Sequence, residues 1–256
     1  MRTPYEHQLG MVAVLDALGA SSFREDEIRT FIDSQEIILR SLTEKAESIW
    51  GEDLRQEMVA TFTFNDTIVI ALTLDRIPAT RDVARFFILL RKFFTVSVIN
   101  GILFRGAVSI GKFYSDIARN LVMGEAVTDA AAWYERANWI GIHATPRATM
   151  LIDQLTEEEH NEEQKTELAS VLVDYEVPMK DRSRTRVKAS NWPKAYFVQS
   201  LSPCSPGQSR RGRLLDLLSK HLVPLGTEEK YFNTIAFYDF VVDSQDLNQT
   251  FGTRHP

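Results

Sequence analysis

The chain has a single cysteine, Cys204, which excludes an intrachain disulfide framework and a cysteine-based zinc site. It has no surplus of positive charge: 29 Lys and Arg stand against 35 Asp and Glu, a formal net charge of −6. Dedicated DNA and RNA binders are normally basic, so no nucleic-acid partner is expected. A small anion held by a few local donors remains compatible with an acidic chain. Long apolar runs are missing too. A membrane helix needs about 18 apolar residues, and the best candidate, residues 86–102, is broken by Arg91 and Lys92. No membrane partner is expected. The N-terminus reads MRTPYEH, without the apolar core of a secretory signal, so a cytoplasmic location is the expectation. The five histidines (7, 143, 160, 221 and 255) show no metal-ligand spacing. His143 lies in an apolar run and reads as a core residue. What is present is ordinary for a globular protein, with 44% hydrophobic and 25% charged residues over 256 positions. That length suits one large domain or one and a half.

Residues 1–153 alternate strand and helix signals. The apolar run at 11–15 ends at Asp16 and predicts a strand. A helix is expected over residues 25–50, where Ile28, Phe31, Ile32, Ile37, Ile38 and Leu42 follow a 3.6-residue period. Residues 57–64 and 67–74 are β-branched and aromatic, joined only by Asn65 and Asp66, and predict a tight hairpin. A strongly apolar, mostly buried helix is expected at 80–100, strands at 102–114 and 121–123, a helix at 126–138, a strand at 139–144 and a helix at 146–155. One hairpin within this order argues for a ferredoxin-like α+β core over a doubly wound sheet.

Residues 154–256 differ in texture and are read as an extension packed on that core. The acidic stretch 157–164 predicts a solvated helix segment. Extended segments are expected at 171–178, 185–193 and 195–201, a Pro- and Gly-containing loop at 202–209, and closing helices at 210–222 and 227–241. The basic run Arg210, Arg211, Gly212, Arg213 reads as a solvated helix start.

Two carboxylates occupy unusual positions. Asp16 ends a buried-looking strand, where an unpaired ion is expensive, and Asp66 sits in the tight turn between two apolar strands. Taken singly, Asp16 could cap a helix and Asp66 simply suit a turn. If the strands pair side by side, both carboxylates reach one sheet edge and repel unless a divalent cation lies between them. After Asp16, the small residues Leu18, Gly19, Ala20, Ser21, Ser22 and Phe23 lead into the helix, and their free N–H groups suit a phosphate cradle.

A strand ending in Asp, a small-residue turn, a helix and a hairpin carrying a second Asp resembles the catalytic core of the class III nucleotide cyclases. The family's Asp-x-x-Gly-Phe and Gly-Asp become Asp16-Ala17-Leu18-Gly19-Ala20 and Asn65-Asp66. Arg105 to Gly111 (RGAVSIG) is similar to the Arg-x-Gly-x-x-x-Gly strand, and Met123-Gly124-Glu125-Ala126 to its Trp-Gly-Asp-Thr. Closer still is the resemblance to the bacterial pyrimidine cyclases of the Pycsar anti-phage systems. It rests on Phe64-Asn65-Asp66, Arg105-Gly106-Ala107, Gly124-Glu125-Ala126 and Glu135, with Tyr175 to Pro178 and Asn191-Trp192-Pro193 similar to that group's extension.

The resemblance implies a nucleoside triphosphate substrate, a 3′,5′-cyclic product and two Mn²⁺ or Mg²⁺ ions held by Asp16, Asp66 and the Ala17 carbonyl. It also implies a homodimer with sites at the interface and a separate effector that responds to the cyclic nucleotide. Purine cyclases carry polar base-reading residues where this chain has Phe62 and Leu121. With Phe64, these make an apolar base-binding set that fits a pyrimidine, UTP slightly ahead of CTP. The family's transition-state Asn and Arg align with Thr128 and Ala132. That leaves Arg136, one turn on, and Arg105 as catalytic candidates. It also keeps open a catalytically inactive nucleotide-binding protein; a purine cyclase is the further alternative.

Overall fold

The computed structural model describes residues 7–19, 25–51, 54, 58–199, 209–219, 223 and 226–251. The strands are β1 (Gln8–Ala17), β2 (Val59–Phe64), β3 (Thr67–Thr73), β4 (Phe104–Asp116), β5 (Leu121–Met123), β6 (Gly141–Ala144), β7 (Leu172–Pro178) and β8 (Arg184–Ser190). The helices are α1 (Glu25–Trp50), α2 (Thr80–Ile99), α3 (Glu125–Arg136), α4 (Pro146–Glu158), α5 (Glu162–Val171), α6 (Trp192–Gln199), α7 (Arg210–Ser219) and α8 (Glu228–Phe251). No helix among the described residues is long and apolar enough to cross a membrane.

The strands form one sheet in the order β2-β3-β1-β4-β6-β8-β7, with β5 pairing β4 off that path. The first four are antiparallel neighbours. Their order is the ferredoxin-like one, two split βαβ units (β1-α1-β2 and β3-α2-β4) interleaved. The α+β expectation is met. β6 joins parallel to β4, and the β7–β8 hairpin continues the sheet through a single His143–Ala189 register pair.

Strand alternation divides the core. Met11, Ala13 and Leu15 of β1 join Ile68, Ile70 and the fully buried Phe86, Phe87, Phe93 and Phe94 of α2 in the large cluster. Val12 and Val14 face the other way, with Phe62, Val69, Phe113, Ala126 and Ala130, under α3. β1 is thus apolar on both faces because it is covered on both, which is why its sequence reads as a run and not an alternation. At Gly124, the N-cap of α3, φ is +130° and a Cβ would lie 2.8 Å from Phe113 Cα. Only glycine lets α3 approach β4 there.

Four sequence expectations need correction. Residues 195–201 are not extended: α6 covers them up to Gln199, and residues 200–201 lie outside the described residues. Asn191 Oδ1 accepts from the Lys194 N–H at 3.3 Å, and Pro193 occupies the first turn, where its missing N–H costs nothing. The acidic segment is not one helix. α4 ends at Glu158, and Asn161 opens α5 by accepting from the N–H groups of Glu163 and Gln164 at 2.9 and 3.3 Å. Ile28, Ile32 and Ile37 of α1 are 46%, 56% and 50% exposed, while Ile38 and Leu42 are buried and Phe31 packs partly against the same core; the stripe that α1 buries, largely against α2, is narrower than its apolar pattern. Arg211 is not merely solvated, since its guanidinium donates to both carboxylate oxygens of Asp239 at 2.7 and 2.9 Å and ties α7 to α8. The loop expected at 202–209 falls, except for Ser209, outside the described residues.

Candidate functional site

The site is one end of the sheet. In register, Asp16 stands between Thr67 of β3 and Arg105 of β4, and Arg105 in turn faces Gly141 of β6. Asp66 immediately precedes Thr67 in the β2–β3 turn, where Asn65 takes the left-handed φ of 54° that asparagine tolerates. Backbone bonds stitch the end together: the Ala17 N–H donates to the Asp66 carbonyl at 3.0 Å and the Leu18 N–H to the Leu103 carbonyl at 2.8 Å. Asp16 continues the Val12–Val14 alternation, so its carboxylate rises on the α3 face. The two aspartates arrive at one edge.

Arg105 Nε donates to Asp16 Oδ2 at 2.8 Å, with the two side chains only 14% and 17% exposed. The guanidinium also lies 5.4 Å from the ring centroid of Tyr134 on α3, a cation–π distance. Arg105 Nη1 is fully buried without a hydrogen-bond partner among the described residues. Burial pushes the Tyr134 phenol upward, and the negative charges of Asp16, Glu135 and Asp66 push it further, with Arg105 opposing them. Both aspartates and Glu135 therefore act on the same phenol. The sequence reading missed Tyr134; its only signal was its place one turn after Ala130 on the face of α3 that meets the sheet.

Arg136 stacks 5.0 Å from the Trp133 ring and pairs with Asp181 at 3.5 Å. With Arg105, Glu135, Lys180 and Asp181 it borders a cavity of about 360 Å³. The two candidate catalytic arginines thus share one depression within one chain. Thr128 Oγ1 donates to the Gly124 carbonyl at 3.1 Å, and Ala132 is exposed. Of the phosphate-cradle residues, Leu18 is half-buried and Gly19 has φ +81°; Ala20, Ser21, Ser22 and Phe23 lie outside the described residues. The base-binding candidates are spread out. Phe62 is 1% exposed in the core under α3, whereas Phe64 and Leu121 are 39% and 36% exposed.

Asp16, Asp66 and the Ala17 carbonyl offer only oxygen donors, the chemistry Mg²⁺ and Mn²⁺ take. No group of three or more His, Cys, Asp or Glu among the described residues converges as a metal-binding cluster. A cation held by two carboxylates would complete its shell with water or substrate oxygens, the usual Mg²⁺ arrangement.

No protein-family model matches the chain, and no curated protein does. Among solved structures, the chain is similar to the adenylyl cyclase CyaB from P. aeruginosa, at 10% identity and a TM-score of 0.43, over 73% of this chain and 96% of that one. It is also similar to the guanylate cyclase domain of RhGC from Catenaria anguillulae in complex with GTP, at 11% identity and a TM-score of 0.45, over 73% and 98%. A third likeness is the catalytic core of a rhodopsin-guanylyl cyclase with converted specificity in complex with ATPalphaS, at 11% and 0.46, over 73% and 97%. Scores this low leave the fold to be read from the strand order and the site from its own residues.

Proposed function

We propose that this protein is a nucleotide cyclase that converts a pyrimidine nucleoside triphosphate, UTP ahead of CTP, to its 3′,5′-cyclic monophosphate and pyrophosphate. The observation that carries the reading is the arrival of Asp16 and Asp66 at one sheet edge, bonded through the Ala17 N–H and flanked by Arg105. A pure binder has little use for two convergent carboxylates, which repel an anionic ligand unless cations intervene. Two divalent ions held by Asp16, Asp66 and the Ala17 carbonyl would acidify the ribose 3′-hydroxyl and neutralise the phosphates. The protein's own part is positioning: nucleophile and target belong to one flexible molecule that must be held folded and in line. Backbone N–H groups over residues 18–23 would hold the phosphate tail. Arg105 and Arg136 would face charge developing on the α-phosphate.

The apolar Phe64, Ile117, Leu121 and Met123, all exposed, surround the β2 edge and the β4–β5 arm, where Asn120 Nδ2 donates to the Thr63 carbonyl at 3.0 Å. They favour a second copy on that face, with the base bound at the interface. Residues 154–256 act as an extension of the core. By its resemblance to the Pycsar cyclases, the protein would work in the cytoplasm, and its product would gate a separate effector during phage infection.

A second reading, a catalytically inactive nucleotide binder, is favoured by the Arg105–Asp16 pair and by Thr128 and Ala132 at the family's transition-state positions. One experiment separates them. The protein is incubated with ATP, GTP, CTP or UTP and Mn²⁺, and cyclic mononucleotides are sought by mass spectrometry, with Asp66→Ala as control. Cyclic product from UTP or CTP, abolished in the variant, is expected. Product from a purine alone overturns the pyrimidine reading. Nucleotide binding without product supports the inactive one.

A further inference from the structure

α3 touches β4 at three places, and their order fixes its course. At its start, the N-cap Gly124 lies against Phe113, and a Cβ added at Gly111 would come within 3.4 Å of Glu125 Oε1 and 3.7 Å of Ala126 Cβ. In its middle, Asp129 Oδ2 accepts from Ser109 Oγ at 2.7 Å. At its end, the Tyr134 ring lies against the Arg105 guanidinium. The helix therefore runs antiparallel to the strand, and Tyr134 meets Arg105 in one register only. A slip of one residue moves the ring about 1.5 Å along the axis and turns it about 100° away. Apolar packing does little to hold that register. The buried residues of α3 are Ala126 and Ala130, and two alanines raise no ridge to interlock with a neighbour.

Asp129 supplies the directional contact. The same Oδ2 that accepts from Ser109 also accepts from Thr145 Oγ1 at 2.7 Å, and both hydroxyl residues are fully buried. The sheet sets them side by side. β4 and β6 pair up to Val108 and Ala144, and one step on the Thr145 N–H donates to the Val108 carbonyl at 2.8 Å. Thr145 Oγ1 in turn accepts from the Ala148 N–H at 3.2 Å as the cap of α4. One carboxylate oxygen thus joins α3, β4, the end of β6 and the start of α4. A carboxylate has no proton to give, so both hydroxyls must donate to it. An acceptor shared by two buried donors cannot move by one helical residue without leaving both unpaired.

We infer that Asp129 is a positioning residue of the site: it locks the register of α3 on the sheet, which holds the Tyr134 ring on Arg105 and so keeps the guanidinium beside Asp16. The chemistry this serves rests on the cyclase reading; the lock itself does not. It acts through three links. The hydroxyls of Ser109 and Thr145 fix α3, α3 presents the Tyr134 ring, and the ring restricts the guanidinium. That guanidinium has Asp16 as its one carboxylate partner and a buried Nη1 without a partner among the described residues. Without the ring it gains rotamers, and Asp16 loses a fixed donor.

The test uses the full chain without metal or nucleotide. Heteronuclear NMR follows solvent exchange of the Arg105 Nε–H, which the Asp16 bond protects; its signal is assigned by its absence in Arg105→Lys. The Arg211 Nε–H, bonded to Asp239 at 2.7 Å on α7 and α8, is the internal control for general loosening. Asp129→Leu is expected to speed exchange at Arg105 about tenfold and to leave Arg211 unchanged. Asp129→Asn keeps an oxygen acceptor and should stay within about twofold of wild type. Tyr134→Leu should match Asp129→Leu, and the double variant should exceed neither, because the two act in series. Ser109→Ala breaks the lock from the sheet side and should speed exchange about threefold, so the outcome does not hang on the folding of one variant. Wild-type exchange at Arg105 in Asp129→Leu or Ser109→Ala, an equal rise at Arg211, or multiplied effects in the double variant overturns the inference. Because no turnover is read, this exchange pattern in a protein that makes no cyclic product would sink the cyclase reading and leave the lock standing.

Discussion

His143 offers a sharp test of how the sheet is built around the site. It lies on β6 in register between Ala107 of β4 and Ala189 of β8 and is fully buried. Neither ring nitrogen has a partner of hydrogen-bond geometry among the described residues. Burial pushes its pKa down from 6.5 to about 4, and the Gly106 backbone nearby offsets only part of that. The unfolded chain takes up a proton near pH 6.5 that the folded protein refuses until about pH 4. Stability from this residue is therefore complete above pH 6.5 and falls as pH drops through the window to 4. A shift of roughly 2.5 units at 1.36 kcal/mol each gives a loss of about 3 kcal/mol at pH 4. Other groups titrate over the same range, so the measurement is a difference. Urea unfolding of wild type and His143→Phe is compared at several pH values between 4 and 7.5. The gap should move in the variant's favour by about 3 kcal/mol on acidification. A gap independent of pH would refute the reasoning, since it would mean that the imidazole finds water or a partner when charged.

Four further outcomes are expected. Arg105→Met strands the Asp16 carboxylate, which is 17% exposed, and should cost about 2 kcal/mol by chemical denaturation, less than a fully buried ion because some water reaches it. Pairing it with Asp16→Asn should recover about half of that loss, which a double-mutant cycle measures. Gly124→Ala forces a Cβ towards Phe113 Cα at a φ of +130° and should lower stability by about 2 to 3 kcal/mol, read as a fall in melting temperature. Thr234→Val removes the acceptor of the buried Ile140 N–H; about 1 to 2 kcal/mol is expected, together with faster hydrogen exchange at Ile140.

Elements with a strong local signature were legible. The helix Glu25–Trp50 was bounded correctly because its 3.6-residue period runs to its end, and the hairpin because only Asn65 and Asp66 separate two β-rich runs. The helix at Trp192–Gln199 was not, since its extended-looking aromatic content outweighed a cap signal of two residues, Asn191 and Pro193. Period alone also overcounted the buried face of α1, because burial depends on which of its residues meet α2 and the core and not on the helix itself.

The candidate site divides the same way. Asp16 and Asp66 could be singled out in sequence because an ion ending a buried strand is physically odd wherever that strand packs. The Arg105–Asp16 bond, the closeness of Arg136 to Arg105 and the burial of Phe62 depend on strand register and on which face α3 covers. Sequence by itself determined the strand–helix order, the hairpin and the two odd carboxylates, because these follow from local periodicity and the cost of burying charge. Only the tertiary structure decided which cations surround them, because long-range contacts leave no periodic trace in the chain.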